Sequence, residues 1–286
     1  MLKKTFCHVP GIGIRTEATL WGKGIHGWED FLELAQKTWP LPSRKLAESI
    51  LVQSLEQVNQ GNPDYFNHLL PSHLIWRIFP EFRAQTAYLD IETTGLDVES
   101  CQITTIALYD GTHIFHYVQG ENLEAFPEDI LKYRVIVTYN GKTFDVPFLE
   151  RYFRIKIYQT HIDLRYVLNA LGYKGGLKNC ETLLGIDRGG LKGVDGLFSV
   201  LLWADYIQNG NAKALETLLA YNIMDVVNLE VLMVLAYNMN LRGTPFEGQL
   251  EMAMPSEPFL PFYPHQPTIE KIRHGGWVGA SFSGKI

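Results

Sequence analysis

Cysteine is scarce in this sequence: 286 residues carry only Cys7, Cys101 and Cys180. They are isolated and odd in number, with the spacing of neither a disulfide framework nor a zinc site, so they read as reduced packing residues. Any run long and apolar enough to cross a membrane is also lacking. Met1-Leu2-Lys3-Lys4-Thr5-Phe6 offers two lysines, but proline, glycine and charged residues follow where a secretory signal needs an apolar stretch. These absences predict a cytoplasmic protein without membrane contact. A basic excess is missing too, since 25 Lys and Arg stand against 31 Asp and Glu for a net charge of −6. That balance excludes a protein that coats nucleic acid through a broad basic surface. There is no internal repeat.

What is present is an ordinary globular composition, 46% apolar and 20% charged. At roughly 150 residues per domain the chain suffices for one large domain and a small one. The charge is uneven: residues 1–86 sum to +1, residues 87–240 to −7 and residues 241–286 to 0. Acid excess usually marks a solvated surface, but a segment that holds divalent cations is also acidic until its metals are counted.

Periodicity divides the chain at the same places. Residues 1–86 read as a small helical region, with apolar residues at helical spacing over Trp28–Lys37 and Ser43–Gln60, broken by Pro40, Pro42 and the turn Gly61-Asn62-Pro63-Asp64. Ala87–Ile91, Ile103–Tyr109, His113–Val118 and Val135–Tyr139 are strand-like runs, the first two joined through Gly95 and the next two through Asp110-Gly111. Beyond Tyr139 come a helix over Val146–Phe153, a strand near Ile157–Ile162, and helices over Leu164–Leu171, Leu177–Leu184, Leu197–Ile207 and Ala212–Leu235. A meander passing into strand–helix units predicts an α/β domain over residues 87–240, a mixed five-stranded sheet with flanking helices. Residues 241–286 form a proline-rich C-terminal segment.

Three elements carry candidate chemistry. In Tyr88-Leu89-Asp90-Ile91-Glu92-Thr93-Thr94-Gly95, the two acids fall two apart on a predicted strand and share a face, while Leu89 and Ile91 turn to the core. Two carboxylates ~4 Å apart repel by about 4 kcal/mol at an effective dielectric near 20, which a cation between them would relieve. A bare Asp-x-Glu also describes an exposed strand end. The second element, Tyr139-Asn140-Gly141-Lys142-Thr143-Phe144-Asp145, puts Asp145 after a strand and at a helix start, where an N-cap role would account for it. In the third, Tyr221-Asn222-Ile223-Met224-Asp225-Val226-Val227, Tyr221 and Asp225 share a helix face. Asp225 is the hardest to explain otherwise, because a carboxylate on so apolar a helix is costly unless a cation or donor meets it.

In chain order these elements resemble the Asp-x-Glu-Thr-x-Gly, Asn-x-x-x-Phe-Asp and Tyr-x-x-x-Asp motifs of the DEDD superfamily of 3′→5′ exonucleases. Tyr221, four residues before Asp225, is similar to the tyrosine branch; the histidine branch would need His where Ala220 stands. The second motif also looks like the proofreading domain of family B DNA polymerases. With Pro10-Gly11-Ile12-Gly13 and Gly176-Leu177-Lys178, the whole chain is similar to the YprB-like branch of ribonuclease H-like proteins. The resemblance implies a ribonuclease H-like fold and a metal-dependent exonuclease that hydrolyses nucleic-acid phosphodiesters to nucleoside 5′-monophosphates. Its cofactors would be two divalent ions, Mg²⁺ or Mn²⁺, about 3.5–4 Å apart and clamping the scissile phosphate. By the same resemblance Asp90 bridges both ions, and Glu92 and Asp225 complete the site that activates water. Asp145 supports the second ion, partly through water, and Tyr221 orients the attacking water. The implied partner is the 3′ end of DNA or RNA. Two other readings stand beside this one: a non-catalytic nucleic-acid-binding scaffold with a nuclease-like fold, and an RNA-trimming exoribonuclease. Retention of all four carboxylates and Tyr221 argues against the scaffold.

Three features stand outside those motifs. The segment from His8 to Thr16 resembles the hairpin of a helix-hairpin-helix motif, whose glycine amides meet a phosphate, and a plain tight turn fits it as well. Lys142, Lys178 and His161 are candidate substrate contacts, for which exposed lysines and a hydrogen-bonded core histidine are the simpler account; Asp163 reads as a helix cap. Pro255, Pro258, Pro261, Pro264 and Pro267 recur every three residues, the polyproline II repeat. That repeat predicts an extended strap packed on the protein's own surface through Phe259, Leu260, Phe262 and Tyr263, or else a partner-docking ligand.

Overall fold

The computed structural model describes residues 1–34 and 41–274. Helices α1 (Ile14–Gly22), α2 (Trp28–Leu34), α3 (Leu41–Asn59), α4 (Asp64–Leu69) and α5 (Phe79–Phe82) precede the sheet. Residues 35–37 of the helix expected to reach Lys37, and Pro40, lie outside the described residues. Pro42 falls within the first turn of α3 instead of breaking it. A proline there gives up only an amide that has no partner inside the helix. A single 3₁₀ turn, Leu2–Lys4, precedes the Pro10–Gly13 turn.

Strands β1 (Thr86–Thr93), β2 (Ile103–Tyr109), β3 (Ile114–Val118), β4 (Val135–Thr138) and β5 (Thr160–Asp163) form one sheet in the order β3-β2-β1-β4-β5. β2 runs antiparallel to β1 and β3, and β4 runs parallel to β1 and β5. This is the mixed five-stranded sheet that the sequence predicts. The flanking helices are α6 (Phe126–Ile130), α7 (Asp145–Phe153), α8 (Leu164–Ala170), α9 (Leu177–Leu183), α10 (Gly196–Asn209), α11 (Ala212–Leu241) and α12 (Gln266–His274). α6 escapes the sequence reading because five residues are too few to display a helical period.

Strand alternation sorts the sheet's two faces. Ala87, Leu89 and Ile91 turn toward Phe126, Phe148 and Leu149 of α6 and α7. Tyr88, Ala107 and Tyr109 turn the other way, into a core that also contains Val226, Leu229 and Met233 of α11. The same core takes in Phe6, Trp28 and Trp76 of the N-terminal region, and Trp76 meets Tyr237 edge-on at 5.6 Å. Residues 1–86 therefore share their hydrophobic core with the sheet domain.

α11 runs through the middle of this packing and buries residues all round its circumference. It corrects the expectation that no run could cross a membrane, since its length and composition would suffice. Its apolar window is 83% buried inside the fold, and that burial accounts for the composition. The C-terminal strap also differs from its expected form. Leu260 and Phe262 pack against the core, but Phe259 and Tyr263 are exposed. The extended segment ends before Gln266, where α12 begins with Pro267 in its first turn. α12 seats Ile269 and Ile272 beside Leu202 and Trp203.

Candidate metal centre

β1 is the central strand, and its pleat turns Asp90 and Glu92 to the α11 side, opposite Ala107 and Thr105 of β2. Register shifts between Glu92 and Thr93, an irregularity of the kind that ends pairing and re-aims side chains beside functional sites. α11 delivers Tyr221 and Asp225 one turn apart. One oxygen each from Asp90, Glu92 and Asp225 lie within 4.8 Å of one another. Asp145 lines the same cleft but stands outside that triple. Its Oδ1 accepts a hydrogen bond from the Ile91 amide at 3.2 Å, and Phe144, not Asp145, occupies the cap position of α7.

The carboxylates have unlike partners. Asp90 Oδ2 accepts from Asn222 Nδ2 at 2.7 Å, and Asn222 Oδ1 accepts from the Thr105 hydroxyl at 3.0 Å, which fixes the amide's orientation. The Ser199 hydroxyl donates to Glu92 Oε2. Both donors are neutral. The cations go elsewhere: Lys178 Nζ pairs with Asp225 Oδ1, and Arg188 Nη2 lies 2.6 Å from the same oxygen, off the hydrogen-bond direction. Arg188 is anchored from behind, its Nη1 donating to the Glu181 oxygens at 2.8 and 2.9 Å, while Asn228 donates to Glu181 Oε1 at 2.8 Å. Lys178 Nζ and the Arg188 guanidinium stand 4.5 and 5.2 Å from the centre of the Tyr221 ring, within cation–π reach.

Burial and mutual repulsion shape the protonation of the cluster. Asp90 is pushed well above the usual carboxylate range, first by burial and then by Asp225, Asp145 and Glu92. Burial pushes Glu92 up to about 8 against the opposing Ser199 hydrogen bond, and Asp145 up to about 7 against two backbone donors. Burial and the nearby carboxylates also raise the Tyr221 phenol, which stays protonated. Arg188 remains charged because Asp225 and Glu181 more than offset its burial. At 4.8 Å, the outer limit of the separations in the triple, an ionised pair repels by roughly 3–4 kcal/mol at an effective dielectric of about 20, and closer pairs repel more.

A family model, the RNase_H superfamily, matches residues 87–237. The chain belongs to the RNase_H superfamily. No curated protein matches it. Among solved structures it is similar to the family B DNA polymerase from the hyperthermophilic archaeon Pyrobaculum calidifontis, at 17% identity and a TM-score of 0.41. That likeness covers 59% of this chain and 27% of the polymerase, so the chain spans only a quarter or so of the polymerase's length. A structure described as the apo form of the nuclease is similar at 16% identity and a TM-score of 0.38, covering 70% of this chain and 90% of that one.

RNase_H superfamily nucleases typically use divalent metals, and the residues present suit such ions. The triple offers only carboxylate oxygens, the hard donors that Mg²⁺ and Mn²⁺ prefer. Among the described residues no Lys or Arg pairs with Asp90 or Glu92, so these two carboxyls, once ionised, would have no counterion from the chain. The cleft holding the triple has a volume of about 530 Å³. Its walls include Leu96 and Leu197, 85% and 72% exposed, which present apolar surface to whatever enters.

Sequence reasoning missed several of these contacts. Asn222 lies inside a motif that gives it no role, Ser199 and Arg188 carry no sequence signal, and an exposed lysine is the simpler expectation for Lys178. Its partial burial on Asp225 places it at the cleft instead. Lys142 is exposed, 6.0 Å from the Tyr166 ring centre. His161 is a core histidine within 2.8 Å of the Thr138 hydroxyl, pushed down to about 3 by burial.

Proposed function

We propose that the chain is a metal-dependent 3′→5′ exonuclease of the tyrosine branch of the DEDD superfamily, releasing nucleoside 5′-monophosphates. The observation that carries this reading is the convergence of Asp90, Glu92 and Asp225 within 4.8 Å, with only neutral donors on the first two. Those three residues hold the divalent ions, and Asp145 on the same cleft supports a second one. Bound there, the ions would neutralise the cluster, polarise the phosphate and lower the pKa of the attacking water.

The chain's own groups supply the rest. Tyr221 keeps its phenolic proton, so it acts as a hydrogen-bonding group that orients water, not as a base. Lys178, partly exposed at the cleft, is placed to meet a phosphate oxygen. Arg188, tied to Glu181, holds the Asp225 carboxylate and the Tyr221 ring in place. Leu96 and Leu197 offer apolar faces to the terminal base.

A scaffold could use Lys178 and Arg188 in place of metal. Both cations serve Asp225, however, and leave Asp90 and Glu92 without one, which favours a cation-binding site. The test is purified protein with Mg²⁺ or Mn²⁺ and 5′-labelled single- and double-stranded DNA and RNA. A ladder shortening from the 3′ end is expected, and absence of cleavage of any of the four substrates with either metal would overturn the reading.

A further inference from the structure

α11 presents Met224, Val227, Asn228 and Val231 along one face, three or four residues apart, and that face floors a cavity of about 390 Å³. Pro255 and Pro258 roof it, two members of the proline repeat, which a three-residue turn sets on one edge of the extended segment. The roof is pinned beyond both ends of the cavity. Asn238 exchanges two hydrogen bonds with Met252, at 2.8 and 2.9 Å, and the His265 amide donates to the Thr217 hydroxyl at 3.0 Å. The connection from α9 to α10 supplies a side wall through Ile186 and Asp187.

The polar part of the lining is one-sided. Asp187, Glu230 and Glu257 come from three different elements, and no Lys or Arg lines the cavity with them. Arg83 pairs with Glu230 Oε1 at 2.8 Å, so three acids stand against one arginine. Glu257 has neither a hydrogen bond nor an ion pair among the described residues, and Asp187 accepts only from the Gly189 amide at 3.1 Å. Asn228 is 5% exposed and donates through Nδ2 to Glu181 Oε1, while its Oδ1 has no partner among the described residues. That oxygen is not sealed off, and the open space beside Asn228 is the cavity it lines. An unmet acceptor on so buried a side chain calls for a donor from within the cavity. A single metal ion does not answer to this. Among the described residues only Asp90, Glu92 and Asp225 bring three possible ligands within 4.8 Å, so the three acids here are too far apart to share one ion.

We propose that this cavity is a binding site for an aliphatic polyamine. Its ammonium groups meet Asp187, Glu257 and Asn228 Oδ1, and its methylene runs lie along Ile186, Val231 and Leu260. Separated positive charges match acids that do not converge, and hydrocarbon spacers match the apolar walls. An anion would meet no opposite charge, and a plain hydrocarbon would leave the carboxylates and Asn228 without donors. The site is separate from the carboxylate cleft and does not depend on the exonuclease reading. It touches the cleft's supports all the same: Asp187 precedes Arg188, Met224 precedes Asp225, and Asn228 holds Glu181.

Isothermal titration calorimetry of the full chain with spermidine and with putrescine, in metal-free buffer, tests this. One saturable molecule per chain is expected, with spermidine the tighter of the two. D187N/E257Q alters only exposed side chains and should weaken spermidine binding about tenfold or more, as expected for lost hydrogen bonds to charged groups. V231W fills the cavity without changing any charge and should remove the binding. If its melting curve shows that V231W does not fold, D187N/E257Q carries the test alone. D90N/E92Q should bind spermidine as the wild type does. Absence of saturable binding, or unchanged binding in D187N/E257Q or in folded V231W, would overturn the proposal. Loss of binding in D90N/E92Q would also overturn it, by placing the polyamine in the carboxylate cleft.

Discussion

At the residue scale, Asp225 carries a relationship that Asp90 does not: both belong to the carboxylate triple, but Asp225 is also the terminus of a cationic brace. Asp90→Asn should abolish cleavage and leave the fold and melting temperature close to wild type, because its side-chain partner, Asn222, is neutral and can be satisfied by an amide. Asp225→Asn should remove metal affinity as well, measured by calorimetric titration with Mn²⁺; full activity of either variant, or of wild type in excess chelator, would exclude the metal mechanism. Tyr221→Phe keeps the ring under Lys178 and Arg188 and loses only the hydroxyl. Since a positioned hydrogen-bonding group contributes about 10²–10⁴-fold, single-turnover rates should fall to or below the low end of that range with substrate and metal affinity unchanged. A wild-type rate across pH would make Tyr221 a packing residue.

The brace makes a separate prediction. Glu181 is wholly buried and Arg188 is its charged partner, so Arg188→Met leaves an uncompensated carboxylate and should cost about 3–5 kcal/mol in chemical denaturation. Lys178→Met, at a partly exposed pair, should cost about 1 kcal/mol or less. Equal losses would show that the Glu181–Arg188 pair has no special place. The three clustered acids were legible because period two on a strand and an apolar setting on a helix mark them out. Arg188, Ser199 and Asn222 were not, because each acts across a long stretch of chain and the sequence records no distance between them.

At the scale of elements, the strand and helix runs from β1 to α11 were read from periodicity to within a few residues at most ends. The failures have physical causes. α6 is too short to show a period. The proline repeat continues to Pro267, and that last proline suits a helix start as well as it suits an extended strap. α12 is therefore where sequence and structure part. Ile269 is buried against α10 and α11, so Ile269→Ala should cost about 2–4 kcal/mol by lost burial and the cavity left behind. Deleting residues 255–286 should lower the melting temperature further, since it also removes Leu260 and Phe262 from the core and the bond from the His265 amide to Thr217. Unchanged melting would mark the segment as a free docking arm.

At the scale of the whole molecule, the carboxylate cluster couples to stability. The folded chain holds the Glu92 proton to about 8 and the Asp145 proton to about 7, against 4.5 and 3.8 for the ordinary groups. Between pH 4 and 8 the metal-free folded state thus binds more protons than the unfolded one, and this contribution to stability falls as pH rises. His8 and His161, each pushed down to about 3 by burial, act oppositely and cost stability as pH drops below 6.5. A divalent ion takes the place of the protons, so the rise in melting temperature on adding Mg²⁺ should be larger at pH 8 than at pH 5.5. The histidines cancel in that difference. An equal rise at both pH values would remove the link between the cluster and the ion.

α11 sets a last condition, on length instead of chemistry. Its first half is gripped by α10 and α12, and its second half by the N-terminal aromatic residues around Trp76. Tyr221 and Asp225 sit between the two grips. One residue inserted there would turn one half against the other by about 100°, the angular step of an α-helix. Beyond its exposed first turn the helix is buried over most of its surface, so such a rotation would drive apolar residues out of the core. Point changes along this helix can be graded, but a change of one codon in length would aim either the phenol or the carboxylate out of the cleft, and the reading frame of the helix is as much a part of the site as its acids.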